Sequence, residues 1–331
     1  MVGAAMSLLE LRDLTVTYRS SRGPVPAVRG VSLNLNEGES LGIAGESGCG
    51  KSSLALAVLR LLPRNAKVTG EVRVAGEDLL EATWGRVRAV RWAGASIVFQ
   101  GAQHSLNAVQ RIGTQIAEPI LLHSKATEAE ATRRTGELLE QVGLPASRAR
   151  NYPHEMSGGQ RQRVMIAMAL ACSPQLILAD EPTTGLDVMI QAQVMRLIGE
   201  LVADHGIGLM LISHDLSVLA ASCQRVAVMY AGTIVEDGPA QQVFSAARHP
   251  YTEALAAAFP KIGDPASRLA PRGLGGDPPD PSDLPTGCPF HPRCAVAVEE
   301  CPKATLELWP AGPDRRAACV HVRDAMSEVA R

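Results

Sequence analysis

The sequence predicts an α/β domain carrying a helical insertion and followed by an irregular, cysteine-bearing extension. Three observations lead there. Two apolar runs, QLILAD (175–180) and GLMLIS (208–213), read as buried parallel strands, each followed by a polar cluster and a helical pattern. A glycine-rich turn, GESGCGKSS (45–53), stands between a short apolar strand and a helix. Near the C-terminal end prolines recur at 265, 271, 278, 279, 281, 285 and 289, alongside four of the seven cysteines.

In chain order, 8–18 (LLELRDLTVTY) and 30–37 (GVSLNLNE) alternate with period two, as half-buried strands do. ESLGIAG (39–45) is a short apolar strand running into the turn, and KSSLALAVLRLL (51–62) is a helix stopped by Pro63. Residues 101–172 change character. There Thr127 and Glu130 form a capping box, Leu138, Leu139 and Val142 share one helix face, and a second helix starts at Arg161. A boundary near 245–260 divides the chain into 1–245, with its helical subdomain at about 101–172, and 246–331.

Hydrophobic residues make up 46% and charged residues 20%, an ordinary globular mix, and the net charge of −2 argues against a broad nucleic-acid-binding surface. The first residues lack a basic stretch and a long apolar run, and VMIAMALAC (164–172) is too short to span a bilayer. The expectation is a soluble cytosolic protein able to dock on a membrane protein. In that reducing setting clustered cysteines hold a metal more readily than they pair.

GESGCGKSS fits G-x-x-x-x-G-K-[ST] in the strand–turn–helix context that supports a phosphate loop. Its residues Gly45, Glu46, Ser47, Gly48, Cys49, Gly50, Lys51, Ser52 and Ser53 are the candidate nucleotide contacts. Backbone N–H groups and the positive end of the following helix surround a β-phosphate, Lys51 bridges β- and γ-phosphates, and the Ser52 hydroxyl ligates Mg²⁺. Such a loop needs a carboxylate for the metal. LILADEP supplies Asp180 at a strand end, with Glu181 beside it as a general base for the attacking water.

At SGGQRQR the reading becomes specific. Ser157, Gly158, Gly159 and Gln160 resemble the signature motif of ABC-transporter ATPases, with Met156 in place of the commoner leucine. The resemblance implies that this motif contacts the γ-phosphate of ATP held by an opposing ATPase domain, so that two chains must meet. It further implies that Tyr18 stacks on adenine, that Gln100 senses Mg²⁺ and signals to membrane subunits, and that His214 contacts the γ-phosphate. Asp187 closes a D-loop that reads TGLD, where the family more often has alanine at Gly185. The likeness covers about residues 8–245. Finer phrases, PTTGLDVMIQAQVMRLI, QHSLN, HPYTEAL and GDPPDPSDLPTGCPFHPRC, resemble the dipeptide and oligopeptide importer branch, although the loop after Gln100 reads Gly-Ala where many members have Asp-Pro.

The tail spaces its thiols as Cys288-x5-Cys294-x6-Cys301-x17-Cys319, without the close pairs usual for structural zinc. Thiolates alone suit zinc or an iron–sulfur cluster, and unmetallated thiols are the third alternative. The resemblance favours a [4Fe–4S] cluster serving as a structural staple. His291 and His321 read as surface residues; Cys172 and Cys223 read as core.

Together these readings imply an ATP-hydrolysing subunit at the cytoplasmic face of the membrane, powering di- or oligopeptide uptake. Its implied partners are a related but different ATPase chain, two permease subunits and an extracytoplasmic binding protein. The rivals are an importer for nickel or another small solute, and a soluble ABC ATPase acting on ribosomes or DNA. The latter usually pairs two ATPase domains in one chain or carries a long coiled coil.

Overall fold

The computed structural model describes residues 7–21, 23–101, 105–258 and 274–329. The strands are β1 (Ser7–Ser20), β2 (Gly23–Asn36), β3 (Ser40–Ala44), β4 (Ala66–Val74), β5 (Glu77–Asp78), β6 (Ala95–Val98), β7 (Leu176–Asp180), β8 (Gly208–Ser213), β9 (Arg225–Tyr230), β10 (Thr233–Pro239), β11 (Trp309–Gly312) and β12 (Arg315–Ala317). The helices are α1 (Lys51–Val58), α2 (Trp84–Ala93), α3 (Ile112–His123), α4 (Glu128–Gln141), α5 (Gly158–Ala169), α6 (Val188–His205), α7 (Leu216–Ser222), α8 (Ala240–Ser245), α9 (Pro250–Ala258) and α10 (Val320–Val329). Gln103 and His104 of the QHSLN phrase, and the prolines at 265 and 271, lie outside the described residues.

Contacts divide the chain into two compact units: Met1–Glu10, Asn34–Glu39 and Arg73–Met210 form one; Leu11–Leu33, Ser40–Val72 and Leu211–Arg331 form the other. In the first unit β6 and β7 pair in parallel, with Ala95 opposite Leu176 and Val98 opposite Ala179. All five residues of β7 are buried, as a strand covered on both faces requires. Helix α4 opens on the expected capping box between Thr127 and Glu130, and Leu138, Leu139 and Val142 are fully buried.

Helix α5 begins at Gly158, three residues before the Arg161 expected from apolar periodicity. Ser157 accepts from the Gln160 N–H at 3.3 Å while the Gln160 side chain accepts from the Ser157 N–H at 3.1 Å. That reciprocal cap draws Gly158 and Gly159 into the first turn, where their backbone N–H groups lack intrahelical partners.

In the second unit the strand order runs β11-β12-β10-β9-β3. Strand β3 lies parallel to β9, with Ile43 opposite Ala227, while β9 and β10 are antiparallel. Helix α1 stops at Val58, short of the Leu62 expected from its apolar run. Arg60 takes φ 51°, and the Leu61 and Arg60 N–H groups return to the Leu56 and Ala57 carbonyls at 2.8 and 3.0 Å. This is a Schellman closure without the usual glycine, and for that reason the sequence conceals it.

Strands β11 and β12 form a hairpin, and β12 adds to β10 with Ala317 opposite Glu236. Glu236 is fully buried and meets the Arg315 guanidinium at 2.5 Å, while also accepting from the Arg248 and His249 N–H groups. Asp237 pairs with Arg225 at 3.0 Å and Arg316 at 2.7 Å. Ion pairs rather than an apolar stripe fix this hairpin, so no hydrophobic alternation announces it.

Candidate nucleotide site

Strand β3 delivers the chain into the glycine-rich turn at Gly45. A Cβ on Gly45, at φ 152°, would lie 2.3 Å from the Met229 carbonyl oxygen, and one on Gly50, at φ 108°, would lie 2.1 Å from that of Ala27. Only glycine fits either place. Gly50 caps α1, which therefore points its N-terminal N–H groups at the turn. Lys51 is 5% exposed, and its Nζ donates to the Gly45 and Glu46 carbonyls at 2.8 Å each, closing a ring across the loop. Cys49 is buried, with its Sγ 3.8 Å from Nζ; burial pushes the thiol pKa up and the Lys51 charge opposes that shift. Ser52 and Ser53 are half-buried, and the Ser53 hydroxyl shares a 2.9 Å hydrogen bond with the Tyr18 hydroxyl.

Also in this unit, His214 is exposed just beyond β8. Its neighbour Asp215 caps α7, accepting from the Ser217 and Val218 N–H groups at 2.8 and 3.3 Å.

The first unit holds the carboxylates. Asp180, 6% exposed, ends β7. Glu181 follows at φ 44°, a left-handed conformation that costs a non-glycine residue on the order of 1 kcal/mol. Its Oε2 accepts from the Gln100 amide at 2.8 Å and the Thr184 hydroxyl at 2.9 Å, so two predicted residues 81 positions apart in sequence meet. Thr184 was not singled out as a site residue, although it opens the TGLD phrase. Asp187 caps α6, accepting from the Ile190 N–H at 3.0 Å. Ile190 in turn packs on the signature turn: a Cβ on Gly159 would stand 2.6 Å from its Cγ2. Met156, before the signature, is buried.

The sequence reading missed four residues around the phosphate loop. Tyr230, Tyr251 and Phe290 form an aromatic cluster with ring centroids 4.4 to 5.4 Å apart, and the Tyr251 hydroxyl accepts from the Glu46 N–H at 2.9 Å. Arg293 grips the Glu46 carboxylate with Nη1–Oε2 at 2.8 Å and Nη2–Oε1 at 3.0 Å. The phrases HPYTEAL and CPFHPRC contain Tyr251, Phe290 and Arg293, but no local pattern ties them to residue 46.

Every cysteine is a free thiol. Cys288, Cys294, Cys301 and Cys319 line one cavity of about 20 Å³, next to His249, which is 2% exposed. Burial is the main cause that raises the Cys288, Cys294 and Cys319 thiols, Cys288 to about 11, and neighbouring thiols of the cluster add to it. No group of three or more His, Cys, Asp or Glu among the described residues is spaced to hold a metal. His321 is exposed, while His291 is half-buried and hydrogen-bonds the Cys288 carbonyl at 2.9 Å. Cys223 is core, as expected, its thiol raised by burial to about 12. Cys172 departs from expectation: it is half-buried, its Sγ 3.4 Å from the Pro119 carbonyl.

No helix of the described residues is long and apolar enough to cross a membrane. The ABC transporter family matches residues 28–184, and the oligopeptide/dipeptide transporter C-terminal region matches 235–301. The oligopeptide transport ATP-binding protein OppD of Salmonella typhimurium is 43% identical over 315 residues, covering 94% of this chain and 93% of its own. A probable peptide ABC transporter ATP-binding protein of Sinorhizobium fredii is 45% identical over 316 residues, 94% of each chain. Among solved structures, the dimeric ABC transporter cassette MJ0796 has a TM-score of 0.63 at 28% identity, covering 70% of this chain and 98% of its own. A phosphate loop that tolerates only glycine at two turns, a signature turn capped by its own serine and glutamine, and likeness along nearly the whole length agree: this chain belongs to the ATP-binding proteins of ABC transporters, in the oligopeptide/dipeptide branch.

Proposed function

We propose that this chain is the ATP-hydrolysing subunit of a peptide importer, bound peripherally to its permease subunits at the cytoplasmic face of the membrane. The observation that carries the reading is the phosphate loop itself, whose lysine, at the start of a helix, donates to the Gly45 and Glu46 carbonyls. In use, Lys51 exchanges those carbonyls for the β- and γ-phosphates of ATP, and loop N–H groups hold the β-phosphate. Tyr18, placed beside α1 by Ser53, stacks on adenine. Mg²⁺ would be held by Ser52, Asp180 and Gln100, oxygen donors that suit a hard cation, and it would neutralise charge on the phosphates. Glu181 orients and deprotonates the attacking water. The Gln100–Glu181 hydrogen bond supports a coupling between metal sensing and the base, and His214 supplies a further contact to the γ-phosphate.

A second, related ATPase chain completes each site by presenting Ser157, Gly158, Gly159 and Gln160 to the γ-phosphate, while Asp187 shapes the facing turn. Exposed Val188 and Met189, at 79% and 71%, sit beside that turn and support a contact made only on pairing. The permease subunits dock on the helical subdomain, 101–172 of the 1–245 ATPase domain; a cavity of about 660 Å³ lined by Thr114, Leu121 and Leu122 supports this. An extracytoplasmic binding protein delivers solute to the permease.

In the 246–331 extension we read the four cysteines as ligands of an iron–sulfur cluster that staples the segment. Four free thiols on one cavity suit a soft metal. Anaerobic purification yielding brown protein with about four irons supports the cluster, and a colourless zinc protein overturns it.

The test of the whole reading is transport. Deleting this chain's gene should abolish ATP-dependent uptake of labelled oligopeptides and restoring it should recover uptake; loss of nickel uptake instead would transfer the reading to a metal importer.

A further inference from the structure

The turn Cys288-Pro-Phe-His-Pro-Arg-Cys294 sends Arg293 to the phosphate loop and Phe290 to the tyrosines behind it. Arg293, whose side chain is 8% exposed, spends its guanidinium there: both terminal nitrogens meet the Glu46 carboxylate, Nη1 also lies 3.3 Å from the Tyr230 hydroxyl, and Nε donates to the Gly275 carbonyl at 2.8 Å. A fork-to-fork pair of this kind fixes direction as well as distance. The Glu46 carboxylate raises the Arg293 pKa, so the charge persists across any working pH. Phe290 packs edge-on against Tyr230 and Tyr251, and Tyr251 holds the Glu46 N–H. Glu46 is therefore held at its backbone and its carboxylate by residues outside the loop. Its carbonyl is one of the two groups that Lys51 grips at 2.8 Å, so the set of this peptide decides where Lys51 stands. Pro278, Pro279, Pro281 and Leu284 line a cavity of about 140 Å³ together with Glu46, Ser47 and Gly48, which places the extension along the loop's flank.

We propose that Arg293 is a positioning residue of the nucleotide site: by clamping Glu46 it sets the phosphate loop for a nucleoside triphosphate, making the extension part of the ATP-binding machinery. The proposal rests on reading this loop as the ATP site. Ordering a loop on binding costs conformational entropy, and a loop already held in place spares the ligand that cost. If the pair only fastens the extension, its loss lowers stability and leaves the relation of KM to kcat alone.

The full-length protein with its partner subunits is assayed for binding of Mg-ATP and for ATPase activity. Arg293→Ala should weaken ATP binding and raise KM about tenfold, the scale of losing a charge-assisted hydrogen bond, with kcat at saturating ATP preserved. Arg293→Lys should recover part of the loss, and Glu46→Gln should show a loss of the same kind. The double variant Arg293→Ala/Glu46→Gln should be no worse than the poorer single one, because both remove one interaction. Unchanged affinity in a folded Arg293→Ala protein, or simple addition of the two effects, overturns the proposal. Should Arg293→Ala fail to fold, Arg293→Lys and Glu46→Gln read the same coupling. Failure of the wild-type protein to bind ATP would strike the phosphate-loop reading instead.

Discussion

At the residue scale, backbone geometry and side-chain chemistry make separable demands. Gly50 is required by space: its Cβ would meet the Ala27 carbonyl at 2.1 Å in a conformation that costs an alanine about 1–2 kcal/mol before any clash is counted. Gly50→Ala should therefore lower the melting temperature and abolish ATP binding together, as followed by thermal denaturation with and without Mg-ATP. Glu181 is required by chemistry. Its carboxylate already receives hydrogen bonds from Gln100 and Thr184, which a glutamine amide can largely retain. Glu181→Gln should keep ATP affinity within about threefold while reducing turnover by two or more orders of magnitude, within the usual range for removing a general base. Normal hydrolysis by this variant would remove Glu181 from the role.

At the element scale, helix termini and one buried ion pair carry the consequences. Ser157 caps α5, and losing a capping hydroxyl costs about 1 kcal/mol. Ser157→Ala should show that modest loss in urea denaturation and a larger defect in forming the ATP-bound dimer. A stability loss without a dimer defect would leave Ser157 a cap and nothing more. In the extension, Arg315→Ala would strand the fully buried Glu236 carboxylate. Breaking a buried pair from one side costs about 3–5 kcal/mol, so the variant should unfold at markedly lower denaturant. Arg315→Lys should recover little, because Arg315 also donates to the Ala246 carbonyl at 2.6 Å with the same planar fork.

At the scale of the whole molecule, the expected behaviour is association driven by nucleotide. Glu181→Gln protein mixed with the proposed second ATPase chain and Mg-ATP should sediment as a pair and return to single subunits when ATP is withdrawn. A protein that stays monomeric yet hydrolyses ATP at full rate would contradict the shared-site reading.

The phosphate loop, the strands before Asp180 and His214, and the signature were legible because each is local: a few residue types at fixed spacing, set by the sterics of one turn or the period of one strand. Local rules also gave the cap of α4. They erred where an end depends on one backbone angle, as at Arg60, or on a reciprocal side-chain cap, as at Ser157. Long-range contacts themselves are written in no local pattern. The hairpin held by Glu236 and Arg315, the Gln100–Glu181 bond, and the clamp of Arg293 on Glu46, 247 positions away, join residues with no shared period or motif. Residue types at fixed spacing name the candidates for holding and splitting a nucleotide. Only the folded chain brings the cysteine-bearing extension to that loop, because charge complementarity acts through distance in space and leaves no signature in spacing along the chain.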